Sequence, residues 1–473
     1  MLRRTKIVAT LGPACDPPQE LEQAIVNGLD VARINFSHGK PGEHAARVES
    51  LRELAERHNR QVAVMVDLQG PKIRIERFRD GPVTLEDGAE FSLDTGLAAD
   101  AGDQHQVGVT YKDLARDVEP GDVLLLDDGN LTMEVRSVRN GRVTCRVING
   151  GVLSDSKGLN RQGGGISAEA LTEKDLEDIR FAVELDADFI AVSFVRDAPE
   201  IERARELIRD AGGHAHVIAK IERAEAIGHV DEIIDASDGV MVARGDLGVE
   251  IGDAELVGMQ KRIIRRAREH NRVVITATQM MQSMVENPQP TRAEVMDVAN
   301  AVIDGTDAVM LSGETAVGRH PAKVIEAMDR ICRGAERQRV TMMSNHRLEA
   351  EFESVEEAIA MASMYVANHF DVKAIVAMTE SGMTAKLMSR ISSGIPIVAM
   401  SRRARTLRRV TLYRGVYPVL FDNTELGISE SEQHMVRVLR RLNLVEKDDH
   451  VAVTMGDVTG LAGGTNTMKV VKV

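Results

Sequence analysis

VIAKIE (217–222) and GVMVARGDLGVE (239–250) are two apolar runs that each stop on charge. The first ends at Lys220 and Glu222, and the second delivers Asp246 into what reads as a Gly-flanked loop. An apolar run that halts on Lys, Glu or Asp before a helical pattern is how a parallel-barrel strand presents reactive groups at its C-terminal mouth. Two carboxylates and one ammonium at neighbouring strand ends suit a hard divalent cation bound to a phosphorylated ligand.

The same grammar repeats on either side. Strand patterns fall at 5–10, 31–36, 62–68, 188–194, 216–222, 239–246, 272–279 and 307–314. Helical patterns fall at about 19–28, 42–59, 172–186, 199–212, 224–236, 253–271, 292–304 and 321–338, and the one at 172 opens on the capping-box spacing Thr172/Asp175. Eight such units predict a (β/α)8 TIM barrel in the α/β class, with an open doubly wound sheet as the lesser alternative.

One unit is interrupted by roughly a hundred residues, far beyond a loop. That insertion alternates short apolar runs such as LTMEVRSV (131–138) and RVTCRVI (142–148) with Asp80-Gly81, Asp87-Gly88, Asp128-Gly129 and Asn140-Gly141. This is hairpin grammar, so a β-rich domain inserted at the barrel mouth is predicted, placed to act as a water-excluding lid. Near 339–352 the rhythm breaks in a polar stretch, and strands at 372–379, 395–400, 416–420 and 450–456 with a last run at 467–473 predict a further α/β unit. The expected division is a discontinuous barrel at 1–69 and 169–341, a lid at 70–168 and a C-terminal α/β domain at 342–473.

Composition narrows the function. The chain has 473 residues, enough for two or three cores, and is 43% hydrophobic and 28% charged, as soluble globular proteins are. No run approaches the ~18 apolar residues of a membrane span, and the start MLRRTKIVATLGPAC reads as a first strand rather than a signal peptide. A net charge of −14 and an aromatic content of 3% without Trp argue against nucleic acid. Cys15, Cys145 and Cys332 are isolated and odd in number, which predicts no disulfide framework or zinc site and favours a cytoplasmic setting.

The strand-end segments ATLGPAC (9–15), RINFSHG (33–39), DLQGPKIR (67–74), NGGVLSDSKGLN (149–160), VIAKIERAEAI (217–227), MVARGDLGVEI (241–251), ITATQMMQSM (275–284), PTRAEVMDVANAVIDGTDAVMLSGETA (290–316) and TESGMTA (379–385) resemble pyruvate kinase, in order and across the whole chain. The resemblance implies a Mg²⁺-dependent phosphotransferase of the last glycolytic step. It would move phosphate from phosphoenolpyruvate to ADP, giving pyruvate and ATP, with Mn²⁺ as an alternative metal and a homotetrameric assembly.

Residue by residue, Lys220 and Arg33 would neutralise the transferring phosphoryl group, one as a point charge and one as a planar fork. Glu222 and Asp246 would hold Mg²⁺, which needs only one or two carboxylates besides substrate oxygens and water. Gly245 would let backbone amides approach the substrate carboxylate. Thr278, with Ser312 and Glu314, resembles the side from which the family protonates the enolate, although a buried Thr also serves as a packing hydroxyl. Arg74, Lys157, His38 and Asn35 match nucleotide contacts, and a lone His after NFS is more often structural. No G-x-x-x-x-G-K-[ST] motif occurs, so the nucleotide is expected between barrel mouth and lid.

One departure carries information. Family members that need K⁺ hold it with residues matching Asn35, Ser37 and Asp67, followed by D-T-K-G-P-E-I-R. Here Leu68, Gln69 and Lys72 replace Thr, Lys and Glu. A tethered ammonium at Lys72 would repel K⁺ and supply its charge, so K⁺ is expected not to be required.

TESGMTA at a strand-to-helix turn resembles the family's site for a phosphorylated effector, with Thr379, Ser381, Gly382 and Thr384 as the matching positions. The loop GDVTGLAGGTN (456–466) resembles its other wall, departing at Gly464, which leaves a sugar phosphate or a nucleotide as candidate effector. The basic run from Arg402 to Arg414 reads as serving this pocket, an interface or, most simply, a solvated face. Two other classes compete: a carbon–carbon lyase acting on a pyruvate-like substrate, for which the lid with Arg74 and Lys157 would be idle, and a catalytically dead metabolite sensor, which would not need Lys220, Glu222, Asp246 and Arg33 together.

Overall fold

The computed structural model describes residues 2–342, 351–457 and 460–473. Eight parallel strands close into a barrel: Lys6–Thr10, Val31–Asn35, Ala63–Asp67, Phe189–Val192, His216–Ile221, Gly239–Ala243, Val273–Ala277 and Ala308–Leu311. They are numbered barrel strands one to eight, and each lies inside the run expected for it. Inward residues such as Val8, Met65, Phe189, Met241 and Met310 fill the barrel as a packed core rather than a pore. That core continues without a break into Met364, Ile375 and Tyr413 of the C-terminal unit, which therefore closes the floor of the barrel.

The floor is organised by four aspartates. Asp30, Asp188, Asp238 and Asp307 each stand immediately before an even-numbered strand. Each accepts the amide of the second residue of the preceding odd strand: Ile7, Val64, Val217 and Val274, at 2.8, 2.9, 2.9 and 3.0 Å. Each is also paired with an arginine. Arg3 and Arg205 of the barrel take Asp30 and Asp238 at 2.9 and 3.0 Å. Arg408 and Arg390 of the C-terminal unit take Asp188 and Asp307 at 2.8 and 2.9 Å. A buried carboxylate is tolerable here because amides and a guanidinium satisfy its oxygens.

The helix Glu173–Glu184 starts on the expected capping box, with Thr172 Oγ1 accepting from the Asp175 amide and the Asp175 carboxylate accepting from the Thr172 amide. Between barrel strands three and four stand a six-stranded sheet and a two-stranded ribbon, with a core of their own. In that sheet Asn140 and Gly141, with φ of 51° and 81°, form the two-residue turn between Leu131–Arg139 and Arg142–Asn149. The C-terminal sheet has five strands in the order Val416–Leu420, Ile397–Ser401, Ala374–Met378, His450–Gly456 and Thr465–Lys472, the last antiparallel. Most of the polar stretch read as the break before this unit, and Val458 and Thr459 of its closing loop, lie outside the described residues.

Three expectations need correction. Asp246 is not in a loop: strand six stops at Ala243 and a helix, Arg244–Ile251, begins at once, with Asp246 in its first turn. The helical pattern at 224–236 is two short helices, Ala224–Gly228 and Val230–Ala236, broken at His229. The basic run is a solvated face only in its first half: Arg402, Arg403 and Arg405 stay exposed and pair with Glu380 and Asp186, and Arg402 lines the C-terminal cavity. Arg408 pairs with Asp186 and Asp188 at the floor, and the buried Arg414 donates to Thr306 O at 2.9 Å.

Candidate active site

Lys220 ends strand five inside the barrel mouth, 9% exposed. Its Nζ lies 2.9 Å from Glu222 Oε1 and 3.2 Å from Asp67 Oδ1, and donates to Ser193 Oγ at 2.7 Å. Burial alone would strip its proton, but Asp67 and Glu222 outweigh it and hold the ammonium above the ordinary lysine range. Arg33 from strand two closes the other side, donating from Nε to Asp67 Oδ2 at 2.7 Å and from its terminal nitrogen to Thr10 Oγ1 at 2.8 Å. Burial would raise Asp67, yet Arg33 and Lys220 pull its carboxyl below the usual range. An ammonium and a guanidinium thus flank one buried carboxylate, facing the open end of the barrel.

Glu222 accepts the Phe194 amide with Oε2 at 2.8 Å while Oε1 faces Lys220. Burial pushes its carboxyl up, Lys220 draws it down, and Asp246 pushes it up again. Two carboxylates that repel across a gap suit a hard cation. Oxygen ligands from Glu222 and Asp246 match the chemistry of Mg²⁺, which takes one or two carboxylates and draws its other ligands from substrate and water. Asp246 is engaged by Lys72, whose Nζ lies 3.1 Å from Oδ1.

The helix that carries Asp246 places the Gly245 amide 2.8 Å from Thr278 Oγ1. A Cβ on Gly245 would stand 3.6 Å from that oxygen, in ordinary contact, so the protein's own packing does not demand glycine here. Thr278 has φ +66° and Gln279 +54°. A β-branched residue in the left-handed region is an outlier that the surroundings must enforce, and such strain gathers at functional sites. Arg244 holds this backbone by donating to Ala277 O and Thr278 O at 3.2 and 2.7 Å, and Glu314, 1% exposed, accepts the Met281 and Ser312 amides at 3.1 and 2.7 Å, binding the loop's far end to strand eight.

Asn35 and Asp67 are register partners at the ends of strands two and three, and Asn35 Oδ1 accepts the Ser37 amide at 3.1 Å. Leu68 is buried, and His38 is exposed on the loop beyond. Arg74 and Lys157 lie together across the lid seam, where the Ile75 amide meets Lys157 O at 2.9 Å. Arg74 donates to Ser156 O at 2.8 Å and Lys157 pairs with Asp127 at 2.6 Å, so both heads have partners within the protein.

In the C-terminal unit, Gly382 adopts φ +87° ahead of the helix Met383–Ser389. Thr379 Oγ1 accepts the Gly382 amide at 2.9 Å, Ser381 Oγ accepts the Met383 amide at 3.3 Å, and Thr384 Oγ1 lies 2.8 Å from Thr465 Oγ1. A cavity of about 350 Å³ opens here, lined by Thr379, Ser381, Arg402, Asp457 and Thr465.

Sequence reasoning missed Ser193, which sits at the centre of the Lys220 network, and Phe194 beside it, forced to φ +57°. The available signal was SF at the end of DFIAVSF (188–194), a polar residue at the mouth of a barrel strand.

Comparison with known proteins agrees with this geometry. Residues 2–325 match the family model described as pyruvate kinase, barrel domain, and residues 357–471 the one described as pyruvate kinase, alpha/beta domain. "Pyruvate kinase II" of Salmonella typhimurium is 55% identical over 476 residues, covering 100% of this chain and 99% of that protein. A pyruvate kinase of Haemophilus influenzae is 52% identical over 462 residues, covering 96% of each, and one of Buchnera aphidicola is 50% identical over 476, covering 100% of this chain and 99% of that protein. A buried ammonium and guanidinium around Asp67, with two carboxylates beside them at the mouth of a closed barrel, thus belong to a chain that is a member of the pyruvate kinase family of phosphotransferases.

Proposed function

We propose that this enzyme transfers phosphate from phosphoenolpyruvate to ADP, giving pyruvate and ATP in the cytoplasm as the last glycolytic step. The observation that carries the reading is the buried Lys220, locked between Asp67, Glu222 and Ser193 at the barrel mouth with Arg33 opposite. Phosphoryl transfer asks the protein for positioning and charge rather than covalent chemistry. Lys220 and Arg33 neutralise the equatorial oxygens, already oriented by Asp67. Glu222 and Asp246 would hold Mg²⁺, which would offset the negative charge of the substrate's oxygens. The Gly245 face receives the substrate carboxylate. Lys220 stabilises the enolate left after transfer, and Thr278, with Ser312 and Glu314, forms the side from which the proton is delivered to carbon.

In the same reading, 70–168 forms the lid over a barrel of 1–69 and 169–341. Arg74, Lys157, His38 and Asn35 contact the nucleotide. Lys72 takes the place of K⁺ supplied elsewhere by the site matching Asn35, Ser37, Asp67 and Leu68, acting from Asp246, with which its ammonium pairs, rather than from those four residues. The domain 342–473 binds a phosphorylated sugar or nucleotide effector at Thr379, Ser381, Gly382 and Thr384, and the enzyme assembles as a tetramer.

The test is pyruvate release from phosphoenolpyruvate, ADP and Mg²⁺ in tetramethylammonium buffer free of K⁺. Full turnover is expected. Rescue by K⁺ alone would keep the reaction and discard the role of Lys72, and silence with and without K⁺ would overturn the reaction.

A further inference from the structure

Barrel strand four has only four residues, Phe189–Val192, and both of its ends are anchored to charge. At the floor, Asp188 is 1% exposed and is gripped by Arg408 of the C-terminal unit. Arg408 Nε donates to Asp188 Oδ1 at 2.8 Å, and its terminal nitrogen donates to Asp186 at 2.7 Å. At the mouth, Ser193 is also 1% exposed. Its Oγ donates to Leu68 O at 2.7 Å, which leaves its lone pairs to the Lys220 ammonium at 2.7 Å. The next residue, Phe194, is held at φ +57° with its amide on Glu222.

The loop after strand three is shaped to this hydroxyl. Gly70 has φ +64°, and a Cβ there would stand 2.8 Å from Ser193 Cβ. The backbone crosses so close above Ser193 that only glycine fits, and this keeps Leu68 O in place as the acceptor. A strand of four residues spans roughly 13 Å, and in a close-packed barrel of low compressibility a shift at Asp188 is passed along it toward Ser193.

We propose that strand four is a positioning rod, with Ser193 setting the place of Lys220 and Arg408 setting the place of Ser193 from the C-terminal domain. Ser193 and Arg408 are positioning residues. They act through Lys220, and the inference rests on the reading of Lys220 given above. Phosphoryl transfer tolerates little misplacement of the neutralising charge, and a displacement of about 1 Å costs up to ~100-fold.

Steady-state pyruvate release by the full-length enzyme tests this. Lys220→Met tests the underlying reading by itself: its loss of turnover is required, and retained turnover would overturn that reading and the proposal with it. Given that loss, Ser193→Ala is expected to lower kcat by roughly 10- to 100-fold with KM for ADP and thermal midpoint near wild type. Arg408→Gln is expected to lower kcat in the same direction but less, Arg408→Lys to restore most of it, and Asp188→Asn to match Arg408→Gln. In the Ser193→Ala background, Arg408→Gln should cost little more, because both act through one contact. Wild-type kcat in Ser193→Ala, or losses that multiply independently in the double variant, would overturn the proposal. If Arg408→Gln does not fold, the Asp188→Asn arm with the same double-variant comparison decides it.

Discussion

Lys72 Nζ lies 3.1 Å from Asp246 Oδ1, across the seam where the chain leaves the barrel for the lid. Lys72 is side-chain 29% exposed and Asp246 20%, so the pair is reachable by solvent and exchangeable. The ammonium lies beside the candidate metal carboxylate, on the segment that a lid movement would carry.

Lys72→Met should therefore lose turnover in K⁺-free buffer by about 100-fold, the order of loss when one preorganised electrostatic donor is removed from an active site. Lys72→Glu should lose it as well and regain it when K⁺ is added. The check is kcat in tetramethylammonium against K⁺ for wild type and both variants. K⁺-free activity unchanged in Lys72→Met would remove Lys72 from this role.

The ion pair of Arg390 with Asp307 behaves differently, because both side chains are 1% exposed. Asp307 also accepts the Val274 and Arg414 amides at 3.0 and 3.1 Å, so it cannot escape to water. Arg390→Met leaves a buried carboxylate without its counter-ion and is expected to cost about 3–5 kcal/mol. Urea unfolding measures it; a cost below ~1 kcal/mol would mean that the two amides suffice.

Glu250 sits where the lid meets the barrel, accepting the Ala224 amide at 2.8 Å and the Asn160 side chain at 3.3 Å. Burial, helped by Glu225, pushes its carboxyl up to about 7 from 4.5. The folded state then holds a proton that the unfolded state has lost. Its contribution is full below pH 4.5, declines as pH rises from 4.5 to about 7, and is level above that. The span corresponds to about 3 kcal/mol. Glu250→Gln should flatten that decline, so its stability relative to wild type rises between pH 5 and pH 8. Parallel curves for the two proteins would show that Glu250 is ionised throughout.

Much of the frame was legible because it is local. Thr172 and Asp175 three residues apart predict a helix start, and both reciprocal hydrogen bonds are present. Asn140-Gly141 predicts a tight hairpin because both residues tolerate positive φ, and both adopt it. The helix at Arg244–Ile251 was hidden because glycines at 245 and 248 read as loop, whereas helix continuity there is set by packing against the helix Asp253–Glu269. The aspartates at 30, 188, 238 and 307 are spaced unevenly along the chain, so their regularity appears only once the barrel closes.

The sequence by itself determined the eight strand–helix units, the inserted β-rich segment and the residue types at the strand mouths, because side-chain periodicity and turn chemistry act within a few residues. Tertiary structure alone decided that Ser193 holds Lys220, that Lys72 reaches Asp246, and that Arg390 and Arg408 grip the barrel floor. Those contacts join residues 27 to 220 positions apart. Charges so distant in the chain meet only once the barrel closes and brings their strand ends and loops together, and where the site is buried the low local dielectric strengthens the pairing.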